Sequence, residues 1–160
     1  SPVETIYKGI KNSKHINLAL PSLFKDSDNF VEIEFNKNVL KSNFTVGCDL
    51  NVFDVSNIKN KSFLIYNDLN KVTDFIEKSV VSDTISVGTH FILNTIEFVY
   101  NIEKLLKLNI DEELYLSHVI ANMILENIQF DVIIASNYID FGTQNEWNAI
   151  FKKHLIELNV

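Results

Sequence analysis

Glycine is scarce in this chain of 160 residues: Gly9, Gly47, Gly88 and Gly142 are all there are. None lies close to another, so the sequence holds no glycine-rich phosphate cradle. A P-loop or dinucleotide fingerprint needs closely spaced glycines for backbone N–H groups to approach an anion. A nucleophile elbow and a CxxC pair are absent as well. The single cysteine, Cys48, excludes an internal disulfide. The four histidines, His15, His90, His118 and His154, never pair at metal-ligand spacing. No apolar run reaches the ~18 residues of a membrane span. The N-terminus shows no charged-then-apolar secretion signal. Lys and Arg number 14 against 21 Asp and Glu, a net charge of −7. Such a balance leaves no basic surplus for neutralising the phosphates of a nucleic acid.

What is present is an ordinary globular composition, 46% apolar and 22% charged. Its length suits one domain over 1–160. Val3, Ile6, Tyr7 and Ile10 fall at helical spacing and predict an amphipathic helix over 3–12. INLAL (16–20), stopped by Pro21, reads as a buried strand, and 22–30 as a polar turn. FVEIEF (30–35) alternates as a strand does. Residues 43–57 read as a strand broken near Gly47. SFLIYND (62–68) and KVTDFIEK (71–78) form a hairpin pattern, and TISVGTHFIL (84–93) a further strand. Helical periodicity covers 95–109, 113–127 and 145–158, with the strand FDVIIAS (130–136) between the last two. No repeat, linker or low-complexity segment divides the chain. The expected fold is α/β, a mixed β-sheet flanked by helices.

Four short features could carry chemistry, and each also has a plain structural reading. Asp140-Phe141-Gly142-Thr143 follows a strand and precedes a helix. Its carboxylate suits a hard cation such as Mg²⁺, or the run is a turn with Thr143 as N-cap. Glu77 can accept hydrogen bonds from sugar hydroxyls and Lys78 can meet a phosphate, or the two are a solvated pair at a strand end. Gly88 inside a strand marks a close approach by a ligand or backbone, or a bulge. Asp26-Ser27-Asp28 is a D-x-D triplet that could hold a metal bridging a nucleotide diphosphate, or a polar loop. The sequons at Asn43 and Asn60 bear only on a secreted eukaryotic chain.

Taken in order, these features resemble the sugar-phosphate nucleotidyltransferases. The run KVTDFIEKSVVSDTISVGTHFI (71–92) is similar to that family's V-x-x-x-x-E-K, polar insert and x-x-G-x-Y-x-F. DEELYLSHVIANMILENIQFDVIIASNYIDFGT (111–143) resembles its E-x-Y-x-S helix, strand and D-x-G-T turn. SPVETIYKGI is similar to the helix ahead of the family's central strand. The resemblance implies a partial nucleotide-diphospho-sugar transferase (Rossmann-like) fold and the C-terminal two-thirds of such an enzyme. It implies that Glu77 binds sugar hydroxyls, Lys78 the sugar phosphate, that Gly88 admits the sugar, and that Asp140 is one of two carboxylates on Mg²⁺. The implied reaction is attack of a sugar 1-phosphate on the α-phosphate of a nucleoside triphosphate, through positioning and charge neutralisation. Nucleotide-sugar synthesis for bacterial capsule or lipopolysaccharide, in the cytoplasm, goes with it.

The match also has gaps. The G-x-G-x-R loop that holds the triphosphate has no counterpart here, so the nucleoside triphosphate would be bound only through a segment outside this sequence. This chain alone is expected to be inactive. The family's second metal-binding Asp follows the central strand, whereas INLAL is followed by Pro21-Ser22-Leu23. Asp26 or Asp28 would have to replace it. Position 90 is His where the family often has Tyr. Two other readings therefore stay open. One is a non-catalytic remnant of the fold acting in partner binding or as a homo-oligomer. The other is a glycosyltransferase relative with Asp26 and Asp28 on a metal.

Overall fold

A computed structural model describes residues 1–35, 37–108 and 113–158, the last six as helix only. Asn109 at the end of one expected helix, and Asp111 and Glu112 at the start of the run 111–143, lie outside the described residues.

The chain opens with helix α1 (Pro2–Asn12). Ser1 caps it, its hydroxyl accepting from Glu4 N–H at 3.3 Å, and Pro2 fits the first turn, where no N–H is needed. Val3 and Ile10 are buried, as the spacing predicts. The segment 16–20 is not a strand. Asn17 bends it: its Oδ1 accepts from Ala19 N–H at 3.0 Å and its carbonyl from Leu20 N–H at 3.1 Å. Such an Asx turn competes with extended pairing. The strands lie instead in the stretch expected to be a turn. They are β1 (Ser22–Lys25) and β2 (Asn29–Glu32), with Asp26-Ser27-Asp28 as the connection. Accordingly β2 stops short of the expected Phe35.

Strand β3 (Asn43–Asp49) ends earlier than the expected 57. The hairpin is present as β4 (Ser62–Tyr66) and β5 (Val72–Glu77). Then come β6 (Thr84–Ile92), α2 (Thr95–Leu106), α3 (Leu116–Leu125) and β7 (Phe130–Ile134). Asn137–Asp140, between the expected strand and the expected turn at 140–143, forms β8, and α4 (Gln144–Leu158) follows.

These strands make a six-stranded sheet in the order β5-β4-β6-β3-β7, with β1 beside β6. Among the described residues only β3 and β7 run parallel; the other pairs are antiparallel. A separate ribbon joins β2 to β8. One face of the sheet packs on α1, α2 and α3 through Val3, Phe98, Ile102, Val119, Ile120, Met123 and Phe130. Phe24 of β1 joins this layer, 4.7 Å from the Phe98 ring. The other face packs on Tyr138 of the ribbon and on the 50–58 loop through Phe44, Val46, Phe63, Ile85 and Phe91. Burying each large apolar side chain contributes about 1.5–3 kcal/mol. The fold is the mixed α/β sheet with flanking helices that the patterning predicts. Among the described residues no helix is long and apolar enough to cross a membrane.

Candidate functional site

A cleft of about 420 Å³ opens between the ends of β1, β5 and β8, the middle of β6 and the start of α3. Asp26, Asp28, Lys61, Ser62, Glu77, Gly88, His90, Tyr115, Ser117, Tyr138 and Asp140 line it.

The two aspartate turns meet because the ribbon pairs Asn29 with Asp140. Phe141 N–H donates to the Asp28 carbonyl at 3.0 Å. Gly142 N–H donates to Asp140 Oδ1 at 3.2 Å, and a Cβ on Gly142 would lie 2.8 Å from Asp28 Oδ2. Lys25 ties the first turn from beneath, donating to the Asp26 carbonyl at 2.7 Å and to Asn29 Oδ1 at 2.8 Å. The expectation that no acid follows the strand is therefore corrected: β1 ends at Lys25, and Asp26 is the next residue. Partial desolvation, and then the Asp28 charge, raise the Asp26 carboxyl above the usual carboxylate range. After Asp140 the chain turns at Gly142 and enters α4 through a capping box. Thr143 Oγ1 accepts from Glu146 N–H at 3.3 Å, and Glu146 returns the bond to Thr143 N–H at 2.8 Å.

Glu77 closes the hairpin opposite Ser62. Its Oε1 accepts from the hydroxyls of Ser62 and of Ser117, at the start of α3. A carboxylate has about four acceptor sites, so these two bonds do not exhaust it. Lys78, one residue on, has φ +55° and turns to Tyr115. Its ammonium donates to Tyr115 Oη at 2.7 Å and lies 4.8 Å from the ring centre. Lys78 thus meets the cleft through Tyr115. Across the hairpin Lys61 points inward and pairs with Asp140.

Gly88 has φ +65° and sits in a bulge where the β3–β6 register shifts. What approaches it is Asp26, whose N–H also donates to the Gly88 carbonyl at 2.9 Å. His90 is buried beside the cleft, its Nδ1 2.9 Å from Thr45 Oγ1. Burial lowers it to about 4, so the ring is neutral at physiological pH. Burial, and then Asp140, raise the Tyr138 phenol above its ordinary value.

The cleft thus offers acid acceptors for hydroxyl groups and one lining ammonium, Lys61, for an anion. It brings together Glu77, Gly88, Asp140 and both members of the D-x-D triplet. Sequence reasoning missed Lys61 and Tyr138, and it held Tyr115 and Ser117 only as letters of the E-x-Y-x-S match, with no place in the site. The hairpin register carried a signal for Lys61: with Ser62 opposite Glu77, Lys61 and Lys78 share its open end, and Lys78 N–H donates to the Lys61 carbonyl at 3.0 Å. Mg²⁺ is a different matter. Among the described residues no three acid, His or Cys side chains are grouped to hold a metal. An ion on Asp140 would also compete with Lys61 for the same carboxylate.

Solved structures share this architecture. A nucleoside-diphosphate-sugar pyrophosphorylase from Vibrio cholerae RC9 superposes with a TM-score of 0.77 at 16% identity, over 94% of this chain and 64% of that one. The fold is a nucleotidyltransferase fold. CTP:phosphocholine cytidylyltransferase from Streptococcus pneumoniae matches with a TM-score of 0.67 at 18% identity, over 94% of this chain and 62% of that one. The inositol-1-phosphate CTP transferase of T. maritima gives 0.61 at 11% identity, over 88% and 56%. The chain thus spans between 56% and 64% of the length of these three structures. No family model and no curated protein matches the sequence.

Proposed function

We propose that this chain is the sugar-phosphate-binding part of a nucleotidyltransferase-like protein, one that serves nucleotide-sugar synthesis for a bacterial surface polysaccharide. The observation that carries the reading is the convergence of Glu77, Asp140 and Lys61 on one cleft in a nucleotidyltransferase fold. Glu77, anchored by Ser62 and Ser117, would accept from sugar hydroxyls. Lys61 inside the cleft and Lys78 at Tyr115 would supply positive charge for the phosphate, and Gly88 would keep the β6 backbone open to the ring. A carboxylate oriented by two donors is a pre-organised acceptor, which lowers the cost of ordering it on binding.

Thermal unfolding with a panel of hexose 1-phosphates tests this. A ligand at a hundredfold excess over its Kd should stabilise the chain by about 2.7 kcal/mol. Glu77→Gln should weaken the effect and Lys78→Ala should remove it. No shift with any sugar phosphate would end the reading.

A second reading keeps the fold for assembly. Among the described residues β1 pairs on one side only, with β6, and Leu23 on it and Leu20 just before it are exposed. An edge of this kind favours pairing with another strand. Light scattering decides it: a dimer supports this reading and a monomer counts against it.

A further inference from the structure

The acids of the cleft already have a cation among them. Lys61 reaches from the end of the β4–β5 hairpin to Asp140, 79 residues away in sequence. The pair is largely withdrawn from water, with side-chain exposures of 23% for Lys61 and 9% for Asp140. Lys61 takes Oδ2 of Asp140 and Gly142 N–H takes Oδ1, so both oxygens are engaged. The ammonium charge also acts on Asp26 and on Glu146. A surface ion pair has no need of such a setting. This one sits in the cleft wall, where its charge reaches Asp26 as well.

Mg²⁺ requires oxygen ligands at about 2.0–2.1 Å in near-octahedral array. It would have to expel the ammonium from Asp140 and leave that charge without its counter-ion, in a place where burial makes an unpaired charge costly. An ammonium offers the same neutralisation in another form. It carries one charge, three donors and no need of a fixed coordination geometry.

We propose that Lys61 is the resident cation of this cleft, paired with Asp140 and acting on Asp26, in the place that the resemblance gives to Mg²⁺. Anion binding here is then independent of divalent metal. That last consequence rests on the sugar-phosphate reading of the cleft; the replacement of the metal does not.

Mn²⁺ alone is the probe, followed by the electron paramagnetic signal of the free ion, with no sugar phosphate present. Lys61→Gln, checked for folding by circular dichroism, should bind Mn²⁺ at least about tenfold more tightly than the unaltered protein. Asp140→Asn added to Lys61→Gln should remove that gain. Lys61→Met serves if the Gln variant does not fold. The unaltered protein should in addition show no thermal shift with Mn²⁺ or Mg²⁺, a result independent of any variant. Mn²⁺ binding by the unaltered protein as tight as by the variants would overturn the proposal, and so would a failure of every folded variant to take up the ion. In a separate arm, glucose 1-phosphate is titrated with Mg²⁺ and with excess EDTA. Equal affinity in both, lost in Lys61→Gln, is the expected result, and a requirement for Mg²⁺ would overturn the proposal. Absence of any sugar-phosphate binding would end the functional reading and leave the Mn²⁺ result to decide this one.

Discussion

Asp26 occupies the space that a side chain on Gly88 would need. A Cβ at position 88 would lie 1.9 Å from Asp26 Oδ2, and the backbone there has φ +65°. The bulge in β6 and the turn after β1 are thus fitted to each other, and the fit aims the first aspartate of the D-x-D triplet into the cleft.

Gly88→Ala should therefore be harmful on two separate counts. The left-handed backbone costs about 1–2 kcal/mol for a residue with a Cβ. Expelling Asp26 adds a steric part, for a total of about 2–4 kcal/mol in urea unfolding. Asp26→Ala in the same chain should recover the steric part and leave the backbone cost. Coupling of about 1 kcal/mol or more between the two substitutions is expected. Strict additivity would mean that the two residues do not meet.

Lys78 carries a similar backbone signature without being glycine, with φ +55°. Lys78→Ala removes the ammonium from Tyr115 and keeps the unfavourable conformation. Lys78→Gly removes the same contact and relieves the backbone. The Gly variant should have the smaller unfolding equilibrium constant, by about fivefold or more. Equal stability of the two would show that this residue is not held in the left-handed region.

The helices and the central hairpin were legible, the helices because their apolar spacing is regular. Val3, Ile6 and Ile10 define α1, while in β5 a register shift against β4 puts Val72 and Phe75, three residues apart, in the core. The region 16–32 was misread for a physical reason. Leu18 and Leu20 look like core, yet Asn17 folds its side chain onto the following N–H groups and turns the chain. The strand instead uses Ser22–Lys25, whose polar ends hide its pairing with β6. That error of a few residues concealed the acids that follow β1. Lys61 was missed because the hairpin register marks its place beside Lys78 but not its partner: Asp140 lies on β8, far away in sequence.

Cys48 lies in the sheet under Tyr138 and the 50–58 loop. Burial, and then the Asp49 charge, push its thiol up to about 12. The thiolate is the reactive form, so iodoacetamide at neutral pH should leave the folded protein unmodified and label it only after unfolding in urea. Rapid labelling of the native chain would show that this face of the sheet is open.

His90 supplies a pH dependence whose sign can be worked out. Its folded value is about 4, set by burial, against an ordinary 6.5. Between these values the unfolded chain holds more protons at this site than the folded one, so stability rises with pH through that window and falls as pH drops through it. Lowering the pH from 7 to 5 should remove about 2 kcal/mol through His90. The loss should level off below about pH 4, where both states are protonated. Asp26 works in the opposite direction: its raised folded value means that the folded state takes up the extra proton as pH falls, and this offsets part of the loss. The clean comparison is therefore urea unfolding at both pH values for the unaltered protein and for His90→Gln, with Asp26 present in each. The slope should flatten in the Gln variant. An unchanged slope would mean that His90 is not a buried neutral ring, and that its bond to Thr45 is made by a ring open to solvent.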